Sequence, residues 1–147
     1  MYTYRRRVHY YENDGMQVVH HANYVHWLEE ARVEYLREGG ILLNDLTAAG
    51  IVCPILEVNI KYISSARNDD VVLVKTWLRE LNRAKMVFEY EIYREGTNEL
   101  LCRARTLGGV SHADTGHLTR LPAETIARLA EIDRKSTRLN SSHLVLS

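Results

Sequence analysis

The sequence predicts an α+β domain in which one antiparallel β-sheet wraps around a single long helix. Apolar residues recur at helical spacing between residues 22 and 38, and later segments alternate apolar and polar residues with a period of two. Short turns separate those segments, which favours antiparallel pairing between consecutive strands. A helix and a sheet that each carry one apolar face bury both faces by packing together.

The composition fits one globular domain. The chain has 147 residues, of which 46% are hydrophobic, enough for its own core. Basic and acidic residues number 19 each, so a net charge near zero gives no long-range attraction to nucleic acid or to an anionic membrane. The sequence has no run approaching the ~18 apolar residues of a membrane span, and its basic N-terminal segment lacks the apolar core of a signal peptide. We therefore expect a cytoplasmic protein with no nucleic-acid partner and no membrane span.

The N-terminal half predicts a strand, a loop and a long helix. Loose alternation of Tyr4, Val8 and Tyr10 with polar neighbours indicates a strand over residues 2–11. The helix over residues 22–38 carries an apolar stripe on one face, made of Tyr24, Trp27, Leu28, Ala31 and Tyr35. Gly39 and Gly40 end this helix, because glycine is common just beyond a helix C-terminus.

The C-terminal half predicts the remaining strands, with a short helix on each side. Apolar residues alternate with polar ones in the strand after Pro54 and again in the strand over residues 84–94. The predicted strands cover residues 55–62, 71–81, 84–94 and 99–112, and the predicted helices cover residues 41–49 and 122–132. The domain is expected to span residues 1–133. Residues 134–147 show no period and resemble translated sequencing-adapter sequence, so we expect a non-native or disordered tail there.

The segment that suggests a catalytic site is residues 11–24, YENDGMQVVHHANY. Asp14 follows the first predicted strand, and the long helix begins a few residues later, near His21. The first N–H groups of a helix have no internal partner, and the helix dipole adds positive potential, so this end attracts an anion or a developing oxyanion. A carboxylate beside such donors provides the two parts of an acyl-transfer site. An aspartate near a helix start is also a common cap or solvated loop residue, so spacing alone leaves the function open.

The run DGMQVVHHANY, followed by WLEEARVEYL, resembles the 4-hydroxybenzoyl-CoA thioesterase family and related short-chain acyl-CoA hydrolases. The segments YISSARNDD and TRLP resemble the same family less specifically, and the resemblance extends from residue 4 to about residue 125. It implies the hotdog fold, in which a sheet wraps around a long helix. The architecture predicted from the apolar patterns is the same.

The resemblance implies an enzyme that hydrolyses an acyl-CoA thioester to a free carboxylic acid and coenzyme A. Asp14 matches the catalytic aspartate of the family, acting either as a nucleophile on the carbonyl or as a general base on water. The backbone N–H of His21 matches the donor that polarises the thioester oxygen, and one such donor is worth about 2.7–4 kcal/mol in the transition state. The implied partners are the acyl-CoA and further copies of the chain, in a homodimer or homotetramer. No cofactor is implied beyond the coenzyme A of the substrate.

Three further residues are candidates for substrate binding. Tyr24 starts the helix, so it is expected either in the core or along the acyl pocket. Asn23 either caps the helix or forms a hydrogen bond near the thioester. Arg67, in the turn over residues 65–70, can pair with coenzyme A phosphates, although an exposed arginine is usually only solvated.

No metal site is expected. His20, His21 and His26 complete no familiar ligand spacing, and adjacent histidines on a helix are expected to point apart. Cys53 and Cys102 give neither a disulfide framework nor a metal-ligand spacing, so we expect two reduced thiols.

One departure from the family pattern keeps other functions open. The family usually has glycine where this chain has Gln17, and glycine there permits a backbone shape that other residues resist. Either Gly15 takes up the turn instead, or the distance from Asp14 to the helix start changes. A non-catalytic hotdog module that binds acyl-CoA therefore stays open. So does an acyl-carrier-protein thioesterase, which would share the site and differ only in the carrier.

Overall fold

The computed structural model describes residues 1–137 and 145–146. The elements follow the predicted order of a strand, a long helix and a series of strands. The helices are α1 (Ala22–Glu38), α2 (Leu43–Ala48) and α3 (Ala123–Thr137). The strands are β1 (Tyr2–Arg7), β2 (Ile51–Val52), β3 (Ile55–Tyr62), β4 (Val71–Leu81), β5 (Lys85–Arg94), β6 (Leu100–Gly109), β7 (Ser111–His112) and β8 (Val145–Leu146).

The large sheet has the strand order β1-β4-β5-β6-β3, with antiparallel neighbours throughout that path. The short β8 pairs in parallel with the end of β4, and β2 pairs with β7 in a small separate ribbon. The expectation that consecutive strands pair is wrong for β3 and β4, because β3 pairs with β6 at the far edge. The connection over residues 63–70 is long enough for this crossing: three strand spacings are about 14 Å, and eight extended residues reach about 26 Å.

The sheet packs against α1, as predicted. Five residues of the predicted apolar stripe are each at most 2% exposed, namely Tyr24, Trp27, Leu28, Ala31 and Tyr35. The ring of Tyr35 packs edge-on against Phe88 of β5, with 5.6 Å between the ring centroids. Alternate residues of β4 and β5 are buried in the same core, so the period of two predicted for β5 identifies its buried face. The same period does not predict burial in β3, where Leu56, Val58 and Tyr62 are 59%, 43% and 45% exposed. Each large apolar side chain buried in this way contributes about 1.5–3 kcal/mol.

Some element boundaries differ from prediction for identifiable reasons. β1 ends at Arg7, and a single 3₁₀ turn over Tyr10–Glu12 replaces the rest of the predicted strand. The buried carboxylate of Glu12 accepts the backbone N–H of His9 at 2.7 Å, which bends the chain there. The predicted strand over residues 99–112 is broken between β6 and β7, where β7 leaves the large sheet to pair with β2.

The predicted tail lies partly outside the described residues, which omit 138–144 and 147. Residues 134–137 form the end of α3, and residues 145–146 form β8. The origin of this segment stays a prediction. None of the helices in the described part of the chain has the length and apolar character that a membrane span requires.

Candidate active site

Residues 13–19 form a tight loop that leads from the 3₁₀ turn to the start of α1. The backbone N–H of Asp14 donates to the carbonyl of Val18 at 2.8 Å, and Asn13 forms a β-bridge with Val19. Gln17 closes this turn with a φ of +68°, in the left-handed region. Of the two alternatives, the one in which Gly15 takes up the turn is therefore wrong: Gln17 itself adopts the conformation that glycine would adopt more easily.

Gln17→Gly is expected to raise the free energy of unfolding by about 0.5–1 kcal/mol. The left-handed conformation costs a non-glycine residue about 1–2 kcal/mol, which exceeds the entropy cost of ordering a glycine. Urea denaturation of the two proteins measures the difference. Asn98→Gly is the control, because Asn98 has a φ of +57° but asparagine tolerates this region better. A destabilised Gln17→Gly variant would contradict the expected strain.

A cleft of about 300 Å³ opens where this loop meets the first turn of α1. It brings Asp14 together with His21 and Tyr24, as the sequence predicts. Its other lining residues come from the loop before α1 and from the chain that leaves β3, and they are Val18, Val19, His20, Tyr62, Ile63, Ser64 and Ser65. The sequence does not reveal Tyr62, Ser64 and Ser65, because the sheet topology brings them to the helix from forty residues away.

One oxygen of the Asp14 carboxylate forms a hydrogen bond within its own loop. Its Oδ1 accepts the backbone N–H of Met16 at 2.7 Å, which is the contact of a loop-stabilising aspartate. The second carboxylate oxygen has no hydrogen-bond partner among the described residues, and the side chain is exposed. One carboxylate oxygen is therefore free to meet a ligand or a water molecule in the cleft.

The start of α1 offers a backbone donor to the same cleft. The N–H of Ala22 donates to Nδ1 of His20 at 3.2 Å, and the N–H of Asn23 donates to the carbonyl of His20 at 3.0 Å. Within the described chain, the N–H of His21 has no such acceptor. The helix dipole adds positive potential at this point. An oxygen that gains negative charge is therefore stabilised beside His21.

The side chains of His20 and His21 correct one expectation. They do not point apart, because their rings stack with centroids 4.4 Å apart. His20 precedes the helix, so the spacing of helical side chains does not apply to this pair.

Tyr24 joins the cleft to the core. Its hydroxyl oxygen accepts the backbone N–H of Ala66 at 2.8 Å, and the side chain is 2% exposed. Burial raises the pKa of Tyr24, so its hydroxyl stays protonated. The hydroxyl of Tyr62 donates to the carbonyl of His21 at 3.0 Å, and the Tyr62 ring lies edge-on to Tyr24. The two tyrosines thus fix the helix start against the chain that leaves β3.

Tyr24→Phe is expected to lower the free energy of unfolding by about 1–3 kcal/mol, because the buried N–H of Ala66 loses its acceptor. Chemical denaturation measures this change. Tyr10→Phe is the matched control, since Tyr10 is 78% exposed and its variant should match the wild type. Equal losses in the two variants would refute the assigned contact.

A family model of the Thioesterase superfamily matches residues 16–101, more than half of the 147-residue chain. The chain belongs to the Thioesterase superfamily. The matched range begins two residues after Asp14. This membership confirms the predicted family, and the solved relatives confirm the hotdog fold.

This superfamily member is similar to three proteins whose names describe them as thioesterases. The putative acyl-CoA thioesterase YneP of Bacillus subtilis is 35% identical over 86 residues, which are 58% of this chain and 62% of that protein, less than two thirds of its length. The acyl-CoA thioesterase YbgC of Haemophilus influenzae is 34% identical over 97 residues, covering 63% of this chain and 69% of that one. The crystal structure of DHNA-CoA thioesterase from Staphylococcus aureus has a TM-score of 0.83 and 29% identity, and 97% of each chain is covered.

In this Thioesterase superfamily chain, Asn23 and Arg67 lie beside the cleft rather than along it. The side-chain amide of Asn23 donates to the carbonyls of Glu12 at 2.9 Å and His20 at 3.2 Å, which ties the helix start to the preceding turn. Arg67 is exposed and forms a β-bridge with Val18, which lines the cleft. Substrate binding by either residue stays a prediction.

A buried charge network that the sequence did not reveal anchors the loop of this superfamily member. Glu12 is 3% exposed, and its Oε1 lies 2.6 Å from Nη1 of Arg6. The indole N–H of Trp27 donates to the other carboxylate oxygen at 2.9 Å. Glu12 thus joins β1, the 3₁₀ turn and α1 two residues before Asp14.

A second carboxylate completes the network. Nε of Arg6 lies 2.7 Å from Oε1 of Glu30, which also accepts the hydroxyl of Tyr4 at 2.9 Å. Burial opposes the charged form of Glu12, yet hydrogen bonds from Arg6, the His9 backbone and Trp27 hold its pKa below the usual value. The one indication of this network in the sequence is Arg6, which shares the inward face of β1 with Tyr4. A charge on that face needs a partner.

Proposed function

We propose that this chain hydrolyses acyl-CoA thioesters to free carboxylic acids and coenzyme A. The observation that carries the proposal is one cleft that holds both a carboxylate oxygen of Asp14 and the backbone N–H of His21, neither of which has a hydrogen-bond partner among residues 1–137 and 145–146. Acyl transfer from a thioester needs both groups, an activated attacking oxygen and a donor for the oxyanion.

The chemistry has two forms that use the same groups. As a nucleophile, the Asp14 carboxylate attacks the thioester carbon, the C–S bond breaks to release the thiolate of coenzyme A, and water then hydrolyses the mixed anhydride. As a general base, Asp14 takes a proton from water while the water oxygen attacks the same carbon, and the C–S bond then breaks to release the thiolate of coenzyme A. In both forms the carbonyl oxygen becomes negative beside the N–H of His21. Burial raises the pKa of the Cys102 thiol to about 12, so that side chain does not supply a competing thiolate nucleophile.

The substrate is held by a few local charges, because the chain has no net charge. Arg67 lies next to the cleft by its bridge to Val18, where its guanidinium can meet the phosphates of coenzyme A. Tyr24 forms the inner wall where the acyl group enters. Asn23 supports the helix start through two backbone carbonyls. No cofactor is proposed beyond the coenzyme A that the substrate carries.

The proposed assembly is a homodimer, or a homotetramer built from two such dimers. In the described chain β3 is an edge strand, and it carries Leu56 at 59%, Val58 at 43% and Tyr62 at 45% exposure. Pairing two such edges would join the sheets and cover these side chains. Sedimentation of the purified protein tests the assembly. A cytoplasmic location is proposed as well, where reduced Cys53 and Cys102 would persist.

The test is thiol release by the purified protein from aryl, short-chain and medium-chain acyl-CoAs. The expected result is turnover of at least one class. Binding without release from any of them would favour the non-catalytic module, and preferential release from the matching acyl carrier protein thioester would favour the acyl-carrier enzyme. Either of these outcomes would overturn the proposal.

A further inference from the structure

Two adjoining clefts lie between α1 and the sheet, farther along the helix than the Asp14 cleft. They measure about 270 and 170 Å³, and they share Glu29, Arg32 and Ile55 as lining residues. The walls of the larger cleft are mainly apolar and include Leu36, Leu43, Cys53, Met86 and Phe88. An arginine therefore borders a cavity that otherwise suits a hydrocarbon chain.

The guanidinium of Arg32 is only partly satisfied by the protein. Its Nη1 donates to the hydroxyl of Tyr90 at 3.0 Å, and that hydroxyl lies 2.7 Å from the hydroxyl of Thr106. In the part of the chain that the structure describes, no carboxylate forms an ion pair with Arg32, which is half-buried. A charge withdrawn from water is normally paired. Its remaining N–H donors therefore suit an anionic ligand.

The distance along α1 from the proposed thioester site to Arg32 matches the length of an acyl chain. From His21 to Arg32 the helix rises about 16 Å, and helical side chains lean back toward the N-terminus. The smaller cleft includes Arg32, and its lining on the side toward His21 includes Val25, with Leu28 and Val58 beside it. The Asp14 cleft and the smaller cleft have no lining residue in common, but His21, Val25 and Arg32 are separated by four and seven residues and so lie on one face of the helix. An acyl chain that starts at the His21 N–H and follows this face reaches the guanidinium.

We propose that Arg32 determines specificity by binding a carboxylate at the far end of the acyl group. The preferred substrates are then coenzyme A monothioesters of dicarboxylic acids of roughly eight to twelve carbons, a length set by the helix rise and by carbon–carbon bonds of about 1.5 Å. This inference rests on the proposed thioesterase function. Arginine is suited to the role because its planar guanidinium can donate two parallel hydrogen bonds to one carboxylate.

Glu29 refines the inference, because its exposed carboxylate lines the same two clefts. It forms no ion pair with Arg32 in the described chain, but its charge in the same clefts repels an incoming carboxylate and weakens the positive potential of the guanidinium. Glu29→Gln is therefore expected to strengthen the preference for a dicarboxylic substrate.

The experiment compares kcat/KM for decanoyl-CoA and for the monothioester of decanedioic acid, which has the same chain length. The wild type is expected to prefer the dicarboxylic substrate by about ten- to a hundredfold, the effect of a hydrogen-bonded charge pair. Arg32→Met should abolish that preference, and Arg32→Lys should keep part of it. Arg37→Met is the control, since Arg37 lies on the same helix, is 56% exposed and pairs with Glu34.

The outcomes separate this inference from the function on which it rests. If decanoyl-CoA is hydrolysed and the wild type shows no preference, or Arg32→Met keeps the preference, the inference is overturned while the thioesterase function stands. If neither thioester is hydrolysed, calorimetry with decanedioate and decanoate still tests the site: tighter binding of decanedioate that Arg32→Met removes supports it, and equal binding overturns it. If Arg32→Met dissociates the oligomer but keeps the preference for the dicarboxylic substrate, Arg32 belongs to a subunit interface, and this result also overturns the inference.

Discussion

Asp14→Asn is expected to lower kcat for acyl-CoA hydrolysis by about 10²–10⁴-fold, with little change in the free energy of unfolding. Asparagine keeps the size of the side chain and an oxygen that can accept the N–H of Met16, so the loop keeps its internal bond. It removes the negative charge that either attacks the thioester carbon or takes a proton from water. Thiol release measures kcat, and urea denaturation measures stability.

Asp45→Asn is the matched control for this variant, because Asp45 is an exposed aspartate of α2, away from the cleft. Its kcat should equal that of the wild type. An Asp14→Asn enzyme that retains full kcat would exclude Asp14 as nucleophile and as general base. If activity falls only in proportion to the fraction of folded protein, Asp14 stabilises the loop and has no catalytic role.

Glu12→Ala is expected to lower the free energy of unfolding by about 3–5 kcal/mol, because it breaks a buried ion pair from one side. The guanidinium of Arg6, the indole N–H of Trp27 and the backbone N–H of His9 all lose an acceptor. Urea denaturation measures the loss. Glu124→Ala is the control, since Glu124 pairs with Arg128 on the surface of α3 and such pairs contribute less than about 1 kcal/mol. If Glu12→Ala loses less than about 1 kcal/mol, the buried ion pair does not stabilise the fold as expected.

The same carboxylate gives a pH dependence with a definite sign. Because the folded pKa of Glu12 lies below its unfolded value of 4.5, the unfolded chain binds more protons just below that pH. The stabilisation from Glu12 is therefore present above pH 4.5 and is lost as the pH falls through the folded pKa. Denaturation curves at several acidic pH values should show a weaker pH dependence in Glu12→Gln than in the wild type.

The sequence predicts the elements that depend on local pattern. α1 runs over the predicted residues 22–38, because its apolar stripe repeats at helical spacing and Gly39 and Gly40 end it. The strand over residues 71–81 also agrees, because buried and half-buried side chains alternate along it. Periodicity identifies the face of a strand but not its neighbour, so the pairing of β3 with β6 could not be derived from it.

The candidate site likewise has one part that the local sequence pattern predicts and one part that it does not. Asp14 and His21 belong to one short segment, so the sequence brings them together through the loop and the helix start. Tyr62 and Ser64 reach the cleft through the sheet, which the local pattern does not specify. The left-handed backbone of Gln17 contradicts the residue preference for that conformation, since glycine is favoured there.

The strand order also constrains when the cleft can form during synthesis. β4, β5 and β6 are joined by short hairpins, whereas Tyr2 pairs with Thr76 and Tyr62 pairs with Cys102. Contacts between residues so distant along the chain close slowly, because loop-closure entropy opposes them. Ser64 and Ser65 hold their places beside Asp14 only when β3 has joined β6. A nascent chain therefore acquires the Asp14 cleft only after Cys102 has left the ribosome, so the proposed activity depends on the last long-range pairing rather than on the first hairpin.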